Sequence, residues 1–270
     1  MQKVDLAGVQ GTLLVTALAR ATDAESPKPI LNDRWSSAII SQISYDFQKL
    51  RVKEPQVSII MMRAKQLDAW TAEFIAANPK ATVLHLACGL DSRAHRVGHG
   101  PDVRWIDVDL PEVVELRKRL LPPLEGDYSL VAADVTSEAW LKEIQADRPT
   151  IVVFEGLCMY IGAEKSQALI ASLAGHFLTG QLAFDAVGWL TVKLQSWLAW
   201  LKVTGTAMTW SIDDPKSIEA LHGSLKLRDS LSTASLPGFE DCPLRVRAPV
   251  AAMRSIPGFA SASRVLRYDF

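Results

Sequence analysis

The sequence predicts an α/β fold built on a doubly wound, mostly parallel sheet, and three observations carry that prediction. Between residues 81 and 190, short β-rich runs alternate with helical segments, the order that winds a parallel sheet. Runs such as Ile151-Val152-Val153-Phe154 are apolar at every position, as strands covered on both faces require. Each run closes on an acid, a glycine or a turn, so polar groups gather beyond the strand C-terminal ends, where ligands of such sheets bind.

Residues 1–80 read as a helical cap. Within it, Ser58 to Ala77 places Ile60, Ala64, Leu67, Trp70 and Phe74 at three- and four-residue spacing, one face of a helix that Asn78-Pro79 ends. Strands are expected at Thr82 to Ala87, Val103 to Asp109, Tyr128 to Asp134, Thr150 to Glu155 and Gln181 to Val187. Helices are expected between them at Leu110 to Leu121, Glu138 to Gln145 and Ala163 to Leu178. The stretch 190–240 reads as a helical insertion, with Leu190, Leu194, Trp197 and Leu201 on one stripe near Trp189, Trp200 and Trp210. Residues 241–270 close the fold with a last strand, Arg264 to Phe270, so that 1–270 reads as one domain.

Composition bounds the partners. At 49% apolar and 22% charged residues, the chain has material for a large core. With 29 Lys+Arg against 30 Asp+Glu there is no positive excess to neutralise a phosphate backbone, so nucleic acid is not expected as a partner. Cys88, Cys158 and Cys242 are odd in number and far apart, which suits neither a disulfide framework nor a zinc site and fits a reducing, cytoplasmic setting. The apolar run Gly11 to Ala19 stops at Arg20, and Leu182 to Val203 is interrupted by Asp185, Lys193, Gln195 and Lys202. The second of these reads as an amphipathic helix following a strand, and no membrane span is expected.

The chemistry concentrates at the strand ends. The first strand runs into Cys88-Gly89-Leu90-Asp91, where a glycine can take the positive φ of a tight turn; Ala87 keeps the turn from being a full GxGxxG fingerprint. Asp107 and Asp109 follow Gly89 by 18 and 20 residues, the offset at which an acid accepts ribose hydroxyls. The third strand closes on Asp134-Val135 and the fourth on Glu155-Gly156. Each acid alone reads equally well as a helix cap or a surface charge. Together they converge on one crevice, where a carboxylate against an apolar strand needs a partner rich in donors.

Three segments, Val83 to Arg93 (VLHLACGLDSR), Trp105 to Val113 (WIDVDLPEV) and Glu155 to Tyr160 (EGLCMY), resemble the leucine carboxyl methyltransferase family. Within it they are most similar to the tetracenomycin-type polyketide O-methyltransferases, and the likeness runs from about residue 10 to the end. The resemblance implies a class I, Rossmann-like methyltransferase fold, S-adenosylmethionine as methyl donor and S-adenosylhomocysteine as product. It further implies that Arg63 grips the methionine carboxylate, that Ala87, Cys88 and Gly89 lie against the cofactor, and that Asp109 binds the ribose. Asp134 and Val135 would then flank the adenine, with Glu155 near the methionine amino group. The family's turn is usually Gly-Ala-Gly, and Ala87 in place of the first glycine brings methyl-sized crowding.

The implied acceptor is an oxygen of a small aromatic or polyketide-like metabolite. A carboxylate acceptor is ionised at neutral pH and needs no base, whereas a phenol, with a reference pKa of about 10, calls for one. Tyr160 and His222 are the catalytic candidates, beside His85 packed in the first strand and His176 near a helix end. The N-terminal helices and the insertion would form the acceptor side. Two other readings stand: methylation of a protein C-terminal leucine carboxylate, and an inactive cofactor-binding interaction protein. The oligomeric state is left open.

Overall fold

The computed structural model describes residues 2, 3, 11–253, 256 and 258–270. The cap comprises α1 (Thr12–Ala24), α2 (Ser36–Gln42) and α3 (Gln56–Ala77), with a two-residue parallel pairing of β1 (Gln2–Lys3) and β2 (Ile43–Ser44). Residues 1 and 4–10 of the expected cap lie outside the described residues.

The main sheet starts with β3 (Thr82–Leu86), α4 (Arg93–Val97), β4 (Arg104–Asp109), α5 (Pro111–Leu120) and β5 (Tyr128–Ala132). It continues through β6 (Thr150–Phe154), α6 (Cys158–Ile161), α7 (Ala163–His176) and β7 (Gly180–Val187). After α8 (Trp189–Leu194) and α9 (Ala199–Thr204) come β8 (Lys226–Ser232), α10 (Leu244–Met253) and β9 (Ser263–Asp269). The seven strands lie in the order β5-β4-β3-β6-β7-β9-β8; β3 to β7 are parallel, and β9 runs antiparallel between β7 and β8.

The apolar runs work as the sequence suggests. Every residue of β3, β6 and β7 is buried, and their side chains alternate between two cores. Leu84, Leu86, Val152, Phe154, Leu182 and Phe184 meet Leu169, Ile170 and Leu173 of α7. Val83, Ile151, Val153 and Ala183 meet Leu67, Trp70 and Phe74 of α3. Chain order reverses between β3 and β6, so the crossovers leave on opposite sides and a crevice opens at the C-terminal ends there.

Three expectations are corrected. Glu138 to Gln145 is no α-helix; only Trp140–Glu143 forms a 3-10 turn, which is enough to bury Trp140 and Leu141 beside the sheet. The stripe in the insertion is broken, because the chain is extended at Leu198 and a 3-10 turn over Gln195–Trp197 separates α8 from α9. Trp200 and Leu201 are consequently buried, while Leu194 and Trp197 face solvent. Likewise Leu182 to Val203 divides into β7, α8 and α9 instead of forming one amphipathic helix. Finally, 190–240 is not helical throughout, since β8 lies within it and forms the sheet edge. Among the described residues no helix is long and apolar enough to cross a membrane.

Candidate active site

A cavity of about 770 Å³ follows the C-terminal edge of the sheet and is roofed by α1 and the start of α3. Arg63, Ala87, Cys88, Gly89, Asp109, Asp134, Val135 and Glu155 all line it, as does Tyr160. The fold therefore brings together the whole set that the resemblance implies for the cofactor.

The turn after β3 forms its floor. Gly89 has φ +51, and a Cβ there would lie 3.5 Å from that of Leu13 on α1, so glycine meets both the backbone twist and the close approach. Ala87 is also left-handed, at φ +48, a conformation that costs an L-residue about 1–2 kcal/mol. That twist ends β3 at Leu86 instead of Ala87. The Asp109 carboxylate accepts the amides of Gly89 at 2.6 Å and Leu110 at 2.8 Å, one on each oxygen. Each oxygen keeps a further lone pair for a hydroxyl donor. Burial pushes the Asp109 carboxyl above its ordinary value, against the pull of those two amides. Asp107, at the other suitable offset, is committed elsewhere: it pairs with Arg117 and accepts from Tyr128 Oη at 2.9 Å and Trp105 Nε1 at 2.8 Å. Arg117 in turn donates to the carbonyls of Gly89 and Asp91, both at 2.8 Å, which braces the turn from below.

Beyond the turn the charges alternate. Arg63 donates through Nε and Nη2 to Glu155 Oε1 at 3.0 and 2.8 Å and through Nη1 to Asp185 Oδ2 at 2.7 Å. Burial opposes its charge, but Asp185 and Glu155 outweigh burial and keep the guanidinium protonated. Glu155 Oε2 accepts from Arg93 at 3.1 Å, and Asp185 Oδ1 accepts the Gly156 amide at 2.6 Å. Asp134 lines the cavity while its Oδ1 caps the Thr136 amide at 2.8 Å, so both of its sequence readings are realised together.

Arg20 on α1 was not singled out by sequence. It is 3% exposed, lines the cavity and donates from Nη2 to Asp91 Oδ2 at 2.9 Å. Its Nε and Nη1 have no hydrogen-bond partner among the described residues. A buried guanidinium with two unpaired nitrogens calls for an anion, and the carboxylate of an amino-acid-bearing cofactor fits it. Nothing local could have shown this, because its partner lies 71 residues away.

The catalytic candidates separate. Tyr160 lines the cavity, and burial pushes its phenol up, so it stays protonated at neutral pH and can orient a ligand but not accept its proton. His222 is corrected: it lies outside the cavity, beside Gly175 of α7, with Nδ1 against Ser224 Oγ at 2.8 Å. Among the five histidines only His85 lines the cavity. Its Nε2 faces Arg93 Nη1 at 3.1 Å and its Nδ1 faces Asp107 at 3.2 Å. Arginine can only donate, so Nε2 is the acceptor and Nδ1 carries the proton, leaving no lone pair for a substrate. His176 is bound to the Ile144 carbonyl at 2.8 Å.

Five parallel strands, an antiparallel last strand between the fifth and sixth, and an acid-lined crevice at the switch point define the class: a class I S-adenosylmethionine-dependent methyltransferase. Solved structures share this fold, among them a Streptomyces avermitilis protein (TM-score 0.61, 12% identity, 95% of this chain and 96% of that one). A Thermobifida fusca protein gives a TM-score of 0.58 at 17% identity, covering 93% of each chain. The family model for leucine carboxyl methyltransferase matches residues 13–174. The tetracenomycin polyketide synthesis O-methyltransferase of Streptomyces glaucescens is 39% identical over 269 residues, covering 100% of this chain and 99% of that protein. An S-adenosyl-L-methionine-dependent methyltransferase of Gibberella zeae is 36% identical over 85% of this chain and 84% of its own length. The chain belongs to the leucine carboxyl methyltransferase family, and its cofactor is S-adenosylmethionine.

Proposed function

We propose that this enzyme methylates a carboxylate oxygen of a small aromatic, polyketide-type acid. The observation that carries this reading is that no imidazole in the cavity is free to take a proton: both nitrogens of His85 are engaged and His222 lies elsewhere. A carboxylate needs no base, and the name of the Streptomyces glaucescens relative supports a polyketide as the acceptor.

The residues divide the work. Arg20, with its two unpaired nitrogens, and Arg63 hold the carboxylate of the cofactor's methionine moiety; Glu155 lies beside its amino group. Asp109 takes the ribose hydroxyls, Ala87, Cys88 and Gly89 lie under the cofactor, and Asp134 and Val135 flank the adenine. The cofactor supplies a methyl group on a cationic sulfur, and moving it to a carboxylate releases no proton. The protein's part is to align acceptor and methyl and to exclude water, which the apolar walls of Leu13, Ile60, Val187, Trp200 and Met208 do.

The pH profile tests the reading. With a hydroxynaphthoic acid as acceptor, kcat/KM stays flat from about pH 6 to pH 9 and the product is the methyl ester. A rate that climbs tenfold per pH unit, with the methyl ether as product, would show that a hydroxyl is the acceptor.

A further inference from the structure

The cofactor residues occupy only the β5-β4-β3-β6 half of the sheet edge, yet the cavity continues past β7 to the far side. Ser263 at the start of β9 and Thr233, just past the end of β8, line that second half, because β9 is antiparallel and brings its first residue to this edge. From β6 to β8 there are three inter-strand steps, about 14 Å at roughly 4.8 Å each. One aromatic ring does not reach across that distance.

The chemistry of this lobe is specific. Phe239, Val250 and Phe259 give it apolar walls suited to a flat ring system. At its end Thr233 Oγ1 lies 2.8 Å from Ser263 Oγ and 3.1 Å from the Ser263 carbonyl, and donates toward them. Ser263 Oγ accepts in that pair and keeps its own proton to offer to a ligand oxygen. The wall is stiff. A Cβ on Gly188 would meet the Ser261 carbonyl oxygen at 2.5 Å, and Thr191 Oγ1 donates to the Ala262 carbonyl at 2.6 Å, which fixes the strand entry against α8.

We infer that this lobe is a distal acceptor subsite, selecting elongated aromatic acids of three or more fused rings that carry an oxygen at the end remote from the carboxylate. It deepens the function proposed above and rests on it for the placing of the reacting carboxylate near β6.

Calorimetry on the full chain loaded with S-adenosylhomocysteine tests it with hydroxybenzoic, hydroxynaphthoic and hydroxyanthracene carboxylic acids. The dissociation constant falls at least about tenfold from the one-ring to the three-ring acid, as the added apolar surface is buried. Ala262→Phe, whose side chain fills the lobe, collapses that preference to within about twofold, and Ser263→Ala removes the advantage of a distal hydroxyl over its absence, about fivefold. Affinity for S-adenosylhomocysteine reports that each variant is folded. Equal affinity across the ring series, or a preference that survives Ala262→Phe, overturns the subsite. Ring-dependent binding without methyl ester formation from any acid would instead overturn the carboxylate reading and leave the subsite standing.

Discussion

At the scale of single residues, Ala87 marks the tightest point of the cofactor turn. Its left-handed backbone costs about 1–2 kcal/mol, while glycine there would add back roughly 0.5–1 kcal/mol of chain entropy. Ala87→Gly is therefore expected to stabilise the fold by about 0.5–1 kcal/mol, roughly 2 °C in Tm, read by thermal denaturation. A lowered Tm would show that the methyl group packs usefully. The two arginines should part company in a way the sequence did not foresee. Arg20→Ala removes a guanidinium with one protein partner, so it should weaken S-adenosylhomocysteine binding about tenfold or more with the fold kept. Arg63→Ala leaves Glu155 and Asp185 facing each other without their shared cation and should cost about 3–5 kcal/mol of stability. Calorimetry and denaturant unfolding separate the two outcomes; equal cofactor affinity in Arg20→Ala and wild type would refute the role given to Arg20. Arg63 was named from its resemblance to a family position. Arg20 looked only like the charge that stops an apolar run.

Among the elements, legibility followed burial. β3, β6 and β7 are covered on both faces, so their composition alone declared them, and the acids at their ends pointed at the crevice. β8 went unread for the opposite reason. As an edge strand it alternates half-buried with exposed positions, and its Lys226, Arg228 and Asp229 look like loop chemistry although they guard an open edge. The helical insertion failed differently. Its apolar residues do recur at helical spacing, but the break at Leu198 divides them between the cavity and the surface: Trp200 lines the former, while Trp197, 83% exposed, faces the latter. Local periodicity carries no information about where a chain bends to close over a neighbour. The His222 error has the same source, since a helix-like stretch was placed over the site and in fact packs outside it, against α7.

For the whole molecule, a buried ionic network couples the cap to the sheet. Asp33, ahead of α2, accepts from Ser92 at 2.6 Å and Arg96 at 3.1 Å, and Arg96 and Arg93 both bind Asp68 on α3. Asp91 sits at the centre; burial alone would raise its carboxyl, but Arg20, Arg96 and Arg93 outweigh burial and hold it well below the usual range. Arg20 thus has one hand on the turn beneath the cofactor and the other in the cavity, which makes α1 part of the binding site. A ligand that engages the unpaired side of Arg20 adds its binding energy to the docking of α1, so cofactor and cap should close together. At a hundredfold excess over Kd, S-adenosylhomocysteine stabilises the bound state by about 2.7 kcal/mol, and amide hydrogen exchange in α1 should slow by up to about a hundredfold. In Arg20→Ala at matched saturation, the end of β4 around Asp109 should keep its ligand-dependent protection while α1 loses most of its own. Protection of α1 that persists undiminished in the variant would mean that the cap is held by its apolar contacts alone, through Leu13, Leu14 and Ala17, and does not sense the cofactor.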